Sequence, residues 1–177
     1  MKFSLLLVIF VVFAVGVFSC GDNKPVNPVQ NLSQVQVTEK LLLANKAALN
    51  VEDQQIEKLI ASRGWEMMKT GTGLRYQVLE KGKGFQAVTG KIARFEYEVD
   101  LLSGEIIYTY DKTGPKEFRI GSGGVESGLE EGILLLKTGD KVRFIIPSYL
   151  AHGLAGDQDK IPPKATLVYT VKLIDLK

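Results

Sequence analysis

One cysteine, one histidine and one tryptophan are all that this 177-residue chain holds of those three residue types. With Cys20 as its sole thiol, no disulfide can form within the chain. A closed zinc site normally takes four Cys, His or carboxylate ligands, and Cys20 with His152 cannot supply that softer set. Charge of one sign is also missing: the formal net charge is +2 and no basic block stands out, so no nucleic-acid partner is expected. No apolar run is long enough to cross a bilayer. The longest, residues 5–18, has about 14 residues where a spanning helix needs roughly 20. The usual signatures of hydrolysis and phosphate binding are absent too. Ser148 and His152 lie four apart, yet there is no Gly-x-Ser-x-Gly elbow and no acid in a matching motif. Asp157 and Asp159 lack the later Gly and Glu of a calcium loop and read as a solvated loop. The glycine-rich residues 121–124 are followed by no Gly-Lys-Ser/Thr, so they read as tight backbone turning between a strand and a helix. No cofactor and no metal is expected.

What is present is a globular balance, with 45% apolar and 24% charged residues, in a length that suits one domain plus an extension. Residues 1–19 read as a secretory signal peptide: a positive start at Lys2, the apolar run, then a sudden turn to polar sequence at Gly21-Asp22-Asn23-Lys24. The run ends Val17-Phe18-Ser19-Cys20, which resembles a bacterial lipobox, although Phe18 is bulkier than that pattern usually carries. The resemblance implies a diacylglycerol on Cys20 and cleavage before it; the alternative is a plain signal peptide with a chance cysteine. More than one acyl chain makes a stable anchor. The expected location is extracytoplasmic, lipid-anchored to a bacterial membrane, with the outer membrane favoured. Residues 20–37, with Pro25, Pro28 and several Asn and Gln, read as the lipidated cysteine and a flexible linker.

Residues 38–70 read as a short helical neck of two helices. Thr38 can cap the first, which carries Leu41, Leu42, Ala44, Ala47 and Ala48. Asn50 can cap the second, with the stripe Ile56, Leu59 and Ile60 ended by Gly64. Such a neck either serves dimerisation or client gripping, or packs on its own domain. From residue 71 to residue 177 the pattern is that of antiparallel sheet. Residues 94–101 alternate strictly: Phe95, Tyr97, Val99 and Leu101 face one way, Arg94, Glu96, Glu98 and Asp100 the other, as in a strand with one wet face. Ser103-Gly104 turns the chain into a partner over 105–110. Further strands are expected over 74–80, 116–120, 141–146 and 165–176, and one helix over about 126–136, with Leu129, Ile133 and Leu136 on one face. Five or six antiparallel strands closed by one short helix make an α+β roll.

Four motifs then fall in order. They are Val125-Glu126-Ser127-Gly128-Leu129-Glu130-Glu131-Gly132, Thr138-Gly139-Asp140-Lys141-Val142-Arg143, Leu150-Ala151-His152-Gly153, and Ile161-Pro162-Pro163-Lys164-Ala165-Thr166-Leu167-Val168-Tyr169. Together they resemble the FKBP-type peptidyl-prolyl cis-trans isomerases over residues 71–177, and with the lipobox and neck the chain resembles the FKBP lipoproteins associated with gliding motility in some bacteria. The chemistry this implies needs no nucleophile. Rotating an X-Pro bond crosses a barrier of roughly 18–20 kcal/mol set by amide resonance. The twisted amide has lost that resonance, and an apolar, water-poor pocket with one or two donors favours it over the planar ground state.

The resemblance assigns the pocket residue by residue. Tyr97 comes from the first long strand, Ile107 and Tyr108 from its partner, Val125 and Glu126 precede the helix, and Leu129 is the floor. His152 comes from the loop, Ile161 from the rim and Tyr169 from the last strand. The Glu126 backbone N–H would hold a substrate carbonyl. Three positions depart from the family: Leu129 stands where Trp is usual, Ile107-Tyr108 replaces Phe-Asp and so removes a carboxylate, and His152 replaces a Tyr that donates to the substrate carbonyl. Imidazole can still donate, but from a shorter side chain whose charge changes near neutral pH; the other reading is an exposed loop histidine. Tyr97 and Tyr169 are either pocket lining or plain core, and Phe95 is core.

Three functions follow as expectations: an extracytoplasmic prolyl isomerase acting on proline-containing polypeptides, a weakly catalytic FKBP-fold chaperone, or a docking lipoprotein of a surface machine. The sequence fixes neither the client nor the oligomeric state. The lipobox yields a direct prediction. Cys20→Ser should leave the chain uncleaved and unlabelled by a metabolic fatty-acid probe; labelling as strong as in the unaltered chain would refute acylation at this residue.

Overall fold

The computed structural model describes residues 33–177. Expectations for the signal peptide, Cys20 and the tether up to residue 32 lie outside the described residues. Residues 42–177 form a compact unit, and the site belongs entirely to it.

The neck is one helix, α1 (Gln34–Arg63), where two were expected. It starts earlier than Thr38 because Ser33 and Gln36 form a capping box: the Gln36 N–H donates to Ser33 Oγ (3.3 Å) and the Ser33 N–H to Gln36 Oε1 (3.1 Å). Thr38 instead returns its hydroxyl to the Gln34 carbonyl, 2.9 Å away. Asn50 begins no new helix, since no Gly or Pro beside it interrupts the hydrogen-bond ladder. Gly64 does end the helix, at φ 63°. The Trp65 N–H reaches the Ile60 carbonyl and the Gly64 N–H the Ala61 carbonyl, which is a Schellman closure.

Seven antiparallel strands follow: β1 (Met68–Lys69), β2 (Arg75–Glu80), β3 (Ile92–Leu101), β4 (Ile106–Thr109), β5 (Lys116–Arg119), β6 (Lys141–Ile146) and β7 (Leu167–Leu176). Their order is β1-β2-β6-β7-β3-β4, with β5 also paired to β3. The α+β expectation holds; the two-residue β1, too short to show a period in sequence, brings the strand count to seven. A short helix α2 (Tyr110–Thr113) follows β4, and α3 (Ser127–Leu134) lies between β5 and β6. In the β3–β7 register Tyr97 stands beside Val171 and Val99 beside Tyr169; across β6–β7 Phe144 stands beside Tyr169. The period of two therefore puts Phe95, Tyr97, Val99, Val142, Phe144, Ile146, Leu167, Tyr169, Val171 and Leu173 into a single core. Helix α3 closes that core with Leu129 and Ile133. It can lie against β6 because Gly132 has no side chain: a Cβ there would stand 2.8 Å from the Phe144 ring. The turn into β6 is gathered by Asp140, which accepts from the N–H of Gly82 (2.6 Å) and of Lys137 (2.7 Å).

The opposite face of the sheet carries α1. Ile56 is fully buried with Ile145 and Val168, and Leu59, Ile60, Trp65, Met67 and Leu102 pack around them. For this stripe the neck packs on its own domain. Arg75, only 2% exposed, fastens the same helix through Asp53 and Glu57. Glu52 adds a second fastening: it accepts from the Ser148 N–H (2.6 Å) and hydroxyl (3.1 Å) and from the Thr166 hydroxyl (2.5 Å).

This face is drier than the alternation implied. Asp100 is half-buried, and its Oδ1 has no hydrogen-bond partner. Burial first, then the Glu98 charge, pushes its carboxyl up to about 6, against the pull of Arg143 and Arg63. The folded chain thus holds this proton more tightly than the unfolded chain does, and stability is lost as pH rises through about 6. Asp100→Asn removes the penalty. Its urea midpoint should exceed that of the unaltered chain by the equivalent of ~1 kcal/mol at about pH 8, once solvent screening is allowed for, and the gain should shrink at about pH 4.5. An equal gain at both values would mean that ionisation of Asp100 is not the cause.

Candidate functional site

An eight-residue helix cannot cover ten-residue strands. At the uncovered end of the inner face the structure gathers the residues that the sequence singled out. Tyr97, Leu129, Ile161 and Tyr169 are between 1 and 4% exposed and belong to the main core; Ile107, Tyr108 and Val125 are half-buried and pack on it. Glu126 precedes α3, and His152 and Ile161 come from the segment joining β6 to β7. Tyr97 and Tyr169 are thus part of the core.

Each buried phenol has found a partner, as a half-apolar side chain with a polar tip requires. Tyr97 Oη lies 2.6 Å from Thr113 Oγ1 on α2. The ring of Tyr97 packs at 5.9 Å from Phe95, and Lys116 Nζ stands 4.7 Å from its centroid. The Tyr108 hydroxyl donates to Asp157 Oδ2 (2.5 Å) and reaches Asp159 Oδ2 at 3.2 Å. The Tyr169 hydroxyl donates to Glu126 Oε1 (2.6 Å), and burial, followed by the Glu126 carboxylate, drives its ionisation well above the ordinary phenol range.

The expectation of a solvated loop holds for the exposed Asp159 and is corrected for Asp157. Asp157 is half-buried, and its Oδ1 accepts from the N–H of Asp159 (3.0 Å) and of Ile161 (2.7 Å). Burial pushes its carboxyl up, but the Tyr108 hydroxyl, those two N–H groups and the neighbouring His152 outweigh it and hold the carboxyl at about 2. The carboxylate lost from β4 is thus supplied across the pocket, with the hydroxyl and the acid on exchanged sides. The sequence signal was an Asx turn, an aspartate whose side chain caps the backbone just ahead of Ile161-Pro162-Pro163.

Glu126 was singled out for its backbone, and the structure adds its side chain. The Glu126 N–H has no protein acceptor among the described residues. The residue takes φ −59°, ψ 138° ahead of α3. Its side chain, 10% exposed, turns back to the pocket, where Oε1 also lies 2.8 Å from His152 Nε2. The His152 side chain is 28% exposed, so it is neither a free loop group nor a core residue. Thr113, Asp157 and the Glu126 carboxylate are the members of the site that sequence reasoning missed. Among the described residues no group of His, Cys, Asp and Glu is arranged to hold a metal.

A separate cavity of about 780 Å³ lies behind this wall, between α1 and the β6–β7 segment, bordered by Leu49, Leu102, Tyr149, Leu154 and Pro162. None of the residues that the resemblance assigns to the pocket lines it. The tyrosine-lined end of the core, with its convergent polar groups, remains the candidate site.

Comparison with known proteins agrees with this geometry. Residues 84–174 match the model of the FKBP-type peptidyl-prolyl cis-trans isomerase family. The chain is 38% identical over 122 residues to the FKBP-type peptidyl-prolyl cis-trans isomerase FkpA of Escherichia coli, covering 68% of this chain and 43% of that protein. It is 39% identical over 108 residues to a probable FkpA of Neisseria meningitidis, covering 60% and 39%. Against these curated relatives the chain spans about two fifths of their length. Among solved structures, E. coli FkpA superposes with a TM-score of 0.64 at 30% identity, over 83% of this chain and 74% of that one. A peptidyl-prolyl cis-trans isomerase from Pseudomonas syringae gives 0.63 at 30% identity, over 75% and 95%. With more than half of its length inside the family model, and with the sheet and the short closing helix in place, this chain belongs to the FKBP-type peptidyl-prolyl cis-trans isomerase family.

Proposed function

We propose that the chain is a peptidyl-prolyl cis-trans isomerase that acts on proline-containing segments of exported polypeptides, outside the cytoplasm and held to a bacterial membrane by acylated Cys20. One observation carries the catalytic part. An apolar wall of Tyr97, Leu129, Ile161 and Tyr169 stands beside a backbone N–H, that of Glu126, which no group among the described residues accepts. A substrate proline seated on that wall leaves water behind, and the carbonyl before it meets a fixed donor. The planar amide, stabilised by resonance and by hydration, loses part of its advantage over the twisted one. The residues divide the work. Tyr97, Leu129, Ile161 and Tyr169 supply the apolar contact, Ile107, Tyr108 and Val125 narrow the mouth, and the Glu126 N–H orients the carbonyl. The apolar leader and the boundary cysteine support export and anchoring.

The full-length chain should accelerate the refolding of a protein whose slow step is an X-Pro isomerisation. The rate constant of that phase should rise in proportion to the amount of chain added, while refolding phases free of proline stay unchanged. A proline-limited phase that does not respond at micromolar concentrations would reject the enzyme and leave a binding module.

A further inference from the structure

Resting on the isomerase reading above, we propose that the Glu126 side chain is a positioning residue: it fixes His152 through Nε2, so that the ring can offer a hydrogen to a substrate carbonyl only from Nδ1 and only as the imidazolium. The argument is one of protons. His152 Nε2 lies 2.8 Å from Glu126 Oε1. An unprotonated nitrogen at that distance would set its lone pair against those of the carboxylate, so Nε2 carries the hydrogen. A neutral imidazole has one N–H and one acceptor. With the hydrogen on Nε2 turned to Glu126, Nδ1 of the neutral ring can only accept, and a carbonyl facing it would be repelled. Adding a proton to Nδ1 converts that repulsion into a charge-assisted donor. Glu126 is itself held, because the Tyr169 hydroxyl donates to the same oxygen at 2.6 Å. Three chain segments, the start of α3, the loop and β7, thus meet at one atom.

Charged and titratable groups surround His152. It faces Glu126 from the start of α3 and Asp157 within its own loop, with Tyr169 of β7 beyond the first and Tyr108 of β4, overlain by Lys160 at 5.4 Å, beyond the second. Asp157 is held at about 2, so it is charged throughout that range. Both tyrosines ionise above their ordinary value and stay neutral. Asp100 changes charge at about 6, but it sits on the opposite face of the sheet.

The test is the pH profile of kcat/KM for the full-length chain, with a signal that does not depend on activity. His152 is the sole histidine, so the two ring nitrogens give one unambiguous pair of ¹⁵N resonances. In the unaltered chain kcat/KM should fall from about pH 5.5 to about 8.5 by roughly 2- to 12-fold, the factor one net hydrogen bond supplies. His152→Phe should be flat at the alkaline level, which also separates this effect from Asp100. Glu126→Gln keeps an acceptor for Tyr169 but removes the charge beside the imidazolium, so its fall should begin at lower pH. The nitrogen resonances should show Nε2–H in the neutral ring. A flat or rising profile in the unaltered chain, the same slope in His152→Phe, an unmoved profile in Glu126→Gln or a neutral ring protonated on Nδ1 would each overturn the proposal. Absence of isomerase activity at every pH would overturn the isomerase reading and the donor role with it, and the nitrogen resonances would still decide whether Glu126 fixes the ring.

Discussion

A core built on ten-residue strands is closed by a helix of eight residues, and most of what is distinctive about this protein follows from that mismatch. Eight helical residues reach about 12 Å, whereas ten strand residues reach about 33 Å. The helix therefore seals one part of the inner face and leaves the rest to loops. Gly132 makes the seal close where it exists, letting α3 rest against the Phe144 ring. Beyond it, the same alternation that buries Val171 and Leu173 delivers Tyr97 and Tyr169 to a place where rings are buried and hydroxyls need partners. The proposed pocket is placed at that end of the core, where an apolar wall needs no separate explanation.

The polar groups around it follow from the requirement that buried phenols be hydrogen-bonded. Thr113, Asp157 and Glu126 each answer one tyrosine, and each lies on a different segment: α2, the β6–β7 loop and the start of α3. The loops that complete the pocket are thereby tied to the strands that form its wall. The Tyr108–Asp157 pair ties β4 to the β6–β7 loop. With tyrosine on the strand, the carboxylate comes from the loop, and the loop is ordered by that same carboxylate through the N–H groups of Asp159 and Ile161.

Much of this was legible in the sequence, for reasons that can be stated. The alternation of residues 94–101 gave β3 its inner face because a strand has period two. The segment from Ile161 to Tyr169 placed a rim and a wall residue because rigid prolines and a following strand leave little freedom. The neck was read as two helices because Asn50 can cap one, and its start was placed late because Ser33 and Gln36 stand in polar sequence that looks like tether. The wet face of β3 was misjudged at Asp100 because alternation tells which side a residue faces and not what covers that side. Asp157 and the Glu126 side chain were missed for a related reason: their partners, Tyr108 and His152, are distant in sequence, and neither spacing nor motif records such meetings.

Glu52 leaves a mechanical consequence. Its carboxylate holds Ser148 and Thr166 together, the points where the chain leaves β6 and returns to β7, so it acts as a clasp at the base of the loop that carries His152 and Ile161. The clasp belongs to α1, a helix on the far side of the sheet. Load applied to α1 is therefore borne first at the hinge of the pocket rim. Slack in the helix becomes slack in the rim, and the side of the sheet that touches no substrate sets the tension under which the other side works.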